Sequence, residues 1–270
     1  MRGKCQRVSE RVWCVGRGGW GGAQEPLSKP VDCNVFLIDG GDELALVDMG
    51  IGPDAPQILA NIEATGCDGA LLTTVFITHA HGDHSGGLRW LRGMTEARIV
   101  AGAVTARALE TADPCVIGDL GPFRAPGTKP VTVDKWLDDG EEYTLGDVTV
   151  TALHTPGHTV DSTCFITDIG RKRLLFSGDT AIGNQPRRDF GRRTIVKGML
   201  GWLDGHWSAP VSQYVESIKR LEALNADLLL PGHGMVNNKA VAAEGLREGR
   251  KRLQRLLDDR ELFIMFALER

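Results

Sequence analysis

Short blocks of apolar residues, some alternating with polar ones and some continuous, predict a mixed α/β fold. Block 71–78 is nearly continuous, apolar and β-branched, which is typical of a strand buried on both faces. Block 53–65 has the spacing of an amphipathic helix that ends at Gly66. We assign strands to 34–38, 43–47, 71–78, 98–101, 142–145, 148–153, 163–167, 173–177 and 227–230, and helices to 53–65, a segment after Gly87, 103–110, 211–224 and 239–257.

These elements fall into two halves of similar order. A chain of 270 residues with 42% hydrophobic content is long enough to bury a large core in one domain, so we expect a single domain over 1–270. We expect a C-terminal helix over about 239–268, of which 262–268 is apolar enough to need cover. Packing on its own core is favoured for this stretch, and a homodimer contact and the mouth of a site are the alternatives.

Composition argues against several classes of protein. The net charge of -4, without a strongly basic half, argues against a dedicated nucleic-acid binder. The sequence has no run of about 18 apolar residues, so we expect no membrane span, and its amino terminus has no apolar signal segment. The six cysteines are scattered without a CxxC pair, which favours a reducing compartment. We therefore expect a cytoplasmic protein.

The motif His79-Ala80-His81-Gly82-Asp83-His84, directly after the predicted strand 71–78, indicates a metal site. Neutral imidazole and carboxylate suit zinc and neighbouring first-row metals, and four such groups cost too much desolvation to be ordinary core. His79 and His81 are two apart and project to the same side of an extended turn, whereas Asp83 and His84 turn towards a second position. Three further candidate ligands each follow a predicted strand: His158, Asp179 and His233.

This set of motifs resembles the metallo-β-lactamase superfamily, whose pattern is HxHxDH, then a distant His, an Asp and a His. The resemblance covers the chain from about Asp48 to His233. It implies an α/β fold, the four-layer αβ/βα sandwich, with metal at the shared edge of its two sheets. It also implies two divalent metal ions, the first held by His79, His81 and His158, the second by Asp83, His84 and His233, with Asp179 bridging them.

In the resembled family, two metal ions share a hydroxide, lower its pKa and polarise the oxygen under attack, so no Ser or Cys nucleophile is required. Asp179 and Asp83 are therefore the expected catalytic residues, although Asp83 could instead cap the following helix. Asp48 matches a position that supports the site, against the alternative of a plain turn carboxylate. His154 is expected to be structural or to support a ligand rather than to bind metal.

Asp179 also narrows the branch of the family. True β-lactamases of this fold generally lack an aspartate there, so the chain is more similar to glyoxalase II, the lactonases, and related thioesterases and phosphodiesterases. The long helical carboxy-terminal domain of glyoxalase II is not expected after Gly234, which argues against glutathione thioesters but not against thioesters in general.

Candidate substrate contacts lie in two segments. Trp20 stands in a glycine-rich stretch that could close over an apolar group or could be a mobile turn. A substrate-loop region at about 182–210 carries several arginines and aromatic residues, which would suit a small molecule with an anionic end and an apolar body. A run of charge is more often solvated, and a histidine between two tryptophans more often packs. The candidates in this region are Arg188, Trp202, His206 and Trp207.

Three functions fit these residues. The leading one is a binuclear metallohydrolase that cleaves an ester, thioester or lactone through the bridging hydroxide, with a phosphodiesterase of the same fold as a variant. Ligand type favours zinc, and iron or manganese fits the same donors. The second is an oxidoreductase similar to persulfide dioxygenases, which hold a single iron. The third is a binding protein without activity, which the complete set of expected ligands argues against.

Overall fold

The computed structural model describes residues 3–19, 25–52, 55–113, 116, 129–189, 192–196, 200–201, 203 and 208–259, with the backbone alone over 185–189 and 192–196. The first half of the chain forms a sheet whose strand order follows the sequence. Its neighbours are antiparallel up to β4 and parallel beyond. The strands are β1 (Gln6–Ser9), β2 (Val12–Gly16), β3 (Val35–Asp39), β4 (Leu44–Val47), β5 (Leu72–Ile77), β6 (Arg98–Gly102) and β7 (Lys135–Leu137).

The second half forms another mixed sheet, in the order β15-β14-β11-β10-β9-β8. Only the β11–β14 pair in it is parallel within the described residues. A separate antiparallel hairpin, β12–β13, follows β11. The strands are β8 (Glu142–Leu145), β9 (Val148–His154), β10 (Thr163–Ile169), β11 (Lys172–Gly178), β12 (Gln185–Asp189), β13 (Arg192–Val196), β14 (Leu228–Pro231) and β15 (Asn237–Asn238).

Helices cover the outer faces of both sheets. A 3-10 turn, Gly69–Leu71, leads into β5. In the first half, α2 and α3 follow β5 and α4 follows β6; in the second half, α5 and α6 flank β14. The helices are α1 (Ala55–Glu63), α2 (Gly82–Ser85), α3 (Leu88–Leu91), α4 (Ala103–Thr111), α5 (Val211–Leu224) and α6 (Lys239–Asp258).

Alternate residues of the central strands enter different cores, which explains the continuous apolar runs in the sequence. On β4, Leu44 and Leu46 join the core under α1 and α4, whereas Ala45 and Val47 join the core between the sheets. Aromatic rings pack across the latter, with 5.1 Å between the ring centroids of Phe76 and Phe165. A third core lies under α5 and α6. The order helix, sheet, sheet, helix confirms the predicted four-layer sandwich.

Several boundaries differ from the sequence prediction. We assigned no strand before residue 34, yet β1 and β2 form a hairpin there, and β12–β13 lies inside the region 182–210 that we expected to be loop. β1 is short and partly exposed, so it lacks the apolar run that marks a buried strand. The helix predicted over 239–268 ends at Asp258, and 260–268 lies outside the described residues. The single domain and the homodimer stay predictions.

None of the helices in the described ranges is both long enough and apolar enough to pass through a membrane.

Candidate metal centre

The seven candidate ligands meet where strands of the two sheets end. β5 ends two residues before His79, β11 ends one residue before Asp179, and β14 ends two residues before His233. Backbone hydrogen bonds join these strand ends: within the second sheet Gly232 N donates to Gly178 O at 2.8 Å, and between the sheets Thr163 N donates to Thr78 O at 2.8 Å. The strand ends therefore form one buried edge at which side chains from both halves converge.

The first group consists of His79, His81 and His158. One ring nitrogen of each lies within 4.8 Å of those of the other two. His81 Nδ1 and His158 Nε2 are 3.1 Å apart, and the rings of His79 and His158 stand edge to face with centroids 5.1 Å apart. Three imidazoles from two sheets thus aim nitrogens at one point.

The second group consists of Asp83, His84 and His233, whose candidate ligand atoms also lie within 4.8 Å of one another. Asp83 Oδ2 is 3.0 Å from His233 Nε2 and 3.8 Å from His84 Nε2. His84 is fully buried, whereas the Asp83 side chain keeps 23% of its surface exposed. Solvent therefore reaches the second group through the carboxylate of Asp83.

The carboxylate of Asp179 lies between the two groups. Its Oδ2 is 3.7 Å from His158 Nε2 in the first group and 3.5 Å from His233 Nε2 in the second. Its Oδ1 is 3.5 Å from His84 Nε2. One side chain consequently contacts both sets of donors.

The donor set fits divalent metal. His79 Nε2, His84 Nε2 and Asp179 Oδ1 are buried and have no hydrogen-bond partner within the described residues. Leaving a buried polar atom without a partner costs about 1–3 kcal/mol, so three such atoms at one place favour a bound ligand. Imidazole nitrogens and carboxylate oxygens are the donors that zinc and neighbouring metals take.

Electrostatics keep His79, His81 and the two carboxylates in the forms that bind metal. Burial lowers the pKa of His79 well below its ordinary value, and burial together with His158 lowers the pKa of His81 to about 3. Burial raises the pKa of Asp83, but His84 and His233 outweigh it and hold that pKa at about 2. Asp179 behaves in the same way, with His233 and His84 holding its pKa well below the usual range. Neutral imidazoles and ionised carboxylates are what a cation requires. For His84 and His233, burial is outweighed by the neighbouring carboxylates, which raise the pKa of both, so these two histidines release protons when metal binds.

The family model described as the metallo-beta-lactamase superfamily matches residues 28–233. The chain belongs to this superfamily. Its sequence relatives include an atrochrysone carboxyl ACP thioesterase of Aspergillus fumigatus, 27% identical over 204 residues that cover 75% of this chain and 51% of that protein. A hydroxyacylglutathione hydrolase of Rhodopseudomonas palustris is 32% identical over 127 residues, covering 47% of this chain and 41% of that protein.

The structure of a Cronobacter sakazakii metallo-beta-lactamase with a HARLDQ motif matches with a TM-score of 0.71 and 25% identity, covering 94% of this chain and 98% of that one. By contrast, the chain spans about half the length of the curated relatives it matches. The family resemblance, the fold class and the expectation of an enzyme are thus confirmed at the level of the superfamily.

Around the donors of this superfamily member, Asp48 and Thr78 form an outer layer of hydrogen bonds. Asp48 adopts a left-handed backbone conformation, φ 63°, directly after β4. Its Oδ2 accepts from His84 Nδ1 at 2.8 Å, and the Thr78 hydroxyl donates to the same oxygen at 2.9 Å. With its proton given to Asp48, the Thr78 hydroxyl can accept from His79 Nδ1, 3.1 Å away. Both histidines are thereby left with Nε2 directed at the centre.

Replacing Thr78 by valine is expected to weaken metal binding by about tenfold, because the shape is kept while the bond that orients His79 is lost. Thr73→Val on β5, the strand that leads to Thr78, is the matched control, since the Thr73 hydroxyl contacts Thr74 rather than a candidate ligand. Competition with a coloured chelator measures the affinities. Equal affinities in the two variants would contradict the role of Thr78.

Sequence reasoning missed Thr78 and also Asn34, which supports the turn carrying His233. Asn34 Nδ2 donates to Pro231 O at 2.9 Å and to Gly234 O at 3.0 Å. These bonds join residues that are separated by more than half of the chain length, so no local spacing in the sequence predicts them. Cys33, also missed, lies beside Asp48 and His84, with candidate ligand atoms of all three within 4.8 Å.

The other predicted site residues have different positions. His154 ends β9, where its Nε2 donates to Val160 O at 3.1 Å, and it belongs to neither the first nor the second group of candidate ligands. Arg188 lies on β12, of which only the backbone is described. The remaining four predictions fall outside the described residues: Trp20, Trp202, His206 and Trp207.

Proposed function

We propose that the chain is a hydrolase that uses two divalent metal ions to cleave a thioester. The observation that carries the proposal is the position of Asp179 between two groups of donors. A carboxylate shared in this way suits a pair of ions rather than one ion. The names of two relatives, a thioesterase and a hydroxyacylglutathione hydrolase, support a thioester over an ester or lactone.

The proposed ligand sets follow the two groups. His79, His81 and His158 would hold the first ion and Asp83, His84 and His233 the second, with Asp179 contacting both. Bound there, divalent ions supply an activated water and an electrophile for the substrate carbonyl. Zinc is the proposed metal, because borderline nitrogen and oxygen donors suit it, and iron and manganese compete for the same donors.

The protein groups contribute orientation and a route for protons. Asp48 and Thr78 would orient the rings of His84 and His79, and Asp83, the partly exposed carboxylate, would exchange protons with solvent. A thiolate leaving group suits such a site. Because an ordinary thiol has a pKa of about 8.5, it departs with little help from a general acid.

Elemental analysis of the purified protein, with chelated and reconstituted samples, tests this proposal. We expect two zinc or manganese ions per chain and thioester hydrolysis that is lost on chelation and restored by metal. Added metal should also stabilise the chelated protein, by about 4 kcal/mol for each bound ion when free metal is 1,000 times the dissociation constant of that ion. Thermal unfolding with and without metal measures this.

Substrate class is tested on the same samples with a simple acyl thioester, a glutathione thioester and a lactone, following release of thiol or acid. Preference for an acyl thioester supports the proposal, and hydrolysis of the lactone alone contradicts it. A single iron per chain without hydrolysis would instead favour an oxidoreductase similar to persulfide dioxygenases.

A further inference from the structure

A buried carboxylate outside the candidate ligand set, Asp161, binds the peptide between the first two candidate ligands. Its Oδ2 accepts a hydrogen bond from Ala80 N at 2.9 Å, and the side chain is fully buried. On the other side of the same residue, Ala80 O accepts from Ser85 Oγ at 3.0 Å. The short connection from His79 to His81 is therefore held at both of its backbone polar groups.

Asp161 is itself fixed by contacts to both halves of the chain. It lies in the turn between β9 and β10, three residues after His158. Its carbonyl accepts from Thr105 Oγ1 on α4 at 2.7 Å and from Thr163 Oγ1 at 3.2 Å. The bond to Ala80 thus ties the ligand turn after β5 to the turn that carries the third imidazole of the first group.

Burying the carboxylate of Asp161 at this position costs free energy. Asp161 Oδ1 has no hydrogen-bond partner within the described residues, and burial, opposed by a bond from Thr159, raises the pKa of Asp161 to about 6. A buried acid with an unpaired oxygen destabilises the fold. The hydrogen bond that Asp161 accepts from Ala80 N, across 81 residues of sequence, offsets part of this cost.

We propose that Asp161 is a positioning residue for the first metal position. Its bond to Ala80 N holds His79 and His81 on the same side of their turn, so that both face His158. Loss of the acceptor would let the Ala80 peptide rotate and separate the two imidazoles. The inference rests on the proposed ligand set, but it concerns a residue outside that set.

Two substitutions at Asp161 test whether the hydrogen-bond acceptor for Ala80 N is what positions the two imidazoles. Asp161→Asn keeps an acceptor of the same shape, whereas Asp161→Ala removes it. With Co²⁺ as the probe, we expect Asp161→Ala to bind the first ion at least about tenfold more weakly than wild type and to show an altered cobalt absorption spectrum. Asp161→Asn should restore both the affinity and the spectrum to near the wild-type values.

Asp134→Ala is the matched control. Asp134 Oδ2 accepts from a backbone N–H in the same way, from Ile99 N at 2.7 Å, but at the start of β6. This variant should leave the cobalt affinity and spectrum unchanged, and circular dichroism of the metal-free proteins shows that each variant is folded.

A folded Asp161→Ala protein with wild-type cobalt affinity and spectrum would overturn the inference. Equal impairment of Asp161→Asn and Asp161→Ala would do so as well, because retention of the acceptor would then make no difference. Both of these results leave the proposed function standing. A wild-type protein that binds no divalent metal would overturn the proposed function together with this inference.

Discussion

Replacing Asp179 with asparagine is expected to lower kcat for thioester hydrolysis by more than about 100-fold, beyond the 10- to 100-fold that loss of a supporting residue costs. The amide keeps the size of the side chain but removes the negative charge that faces both groups of donors. Each tenfold loss corresponds to about 1.4 kcal/mol in the activation barrier, so the expected effect is at least about 3 kcal/mol. The metal content should fall below that of the wild type in the same samples.

Initial rates and elemental analysis of Asp179→Asn measure both effects. Asp168→Asn is the control, because Asp168 is 62% exposed and pairs with Arg173 at 3.0 Å on the surface of the second sheet. It should keep full activity and metal. Unchanged turnover in a folded Asp179→Asn protein would refute the proposed role of Asp179.

The second large effect is expected from Gly232→Ala, which leaves every candidate ligand in place. A Cβ at residue 232 would lie 2.4 Å from Asp179 Oδ1 and 2.5 Å from His84 Cε1, closer than real Cβ atoms approach. The two side chains can move away only by leaving the positions in which they face metal. We therefore expect loss of the second ion and a fall in kcat/KM of about 100-fold or more.

Gly93→Ala is the control for this substitution, since a Cβ there meets only Trp90 O at an ordinary 3.6 Å. Metal titration and thioester hydrolysis of both variants give the comparison. Two ions bound with wild-type affinity in Gly232→Ala would show that the edge is more adaptable than the structure indicates.

The residue pattern predicts a mixed α/β fold and donors at the ends of strands, because both have local signals, whereas the four layers and the division of the donors into two groups came from the resemblance to the superfamily. Block 71–78 is nearly continuously apolar and β-branched, and β5 is indeed buried on both faces between two cores. Each donor follows an apolar strand, so its position at a strand end could be read from the chain. The bounds of α5, 211–224, agree with the helical spacing for the same reason.

Supporting contacts other than those of Asp48 have no local signal and were not predicted. Asp161 reaches Ala80 across 81 residues, and Asn34 reaches Pro231 across 197. Such pairs depend on how the sheets meet, which spacing along the chain does not encode. The hairpin β12–β13 was missed because its arginine-rich sequence has no apolar face to mark it as part of a sheet.

Because Asp179 contacts both donor groups, the affinity of the centre for metal depends on how the two sheets pack against each other. Neither half of the chain contains a complete donor group, since His158 and His233 come from the second sheet and the other histidines from the first. Affinity for metal therefore includes the free energy of bringing the sheets together. A substitution that opens a cavity between Phe76 and Phe165, in the core between the sheets, would therefore lower the affinity for metal without changing any donor.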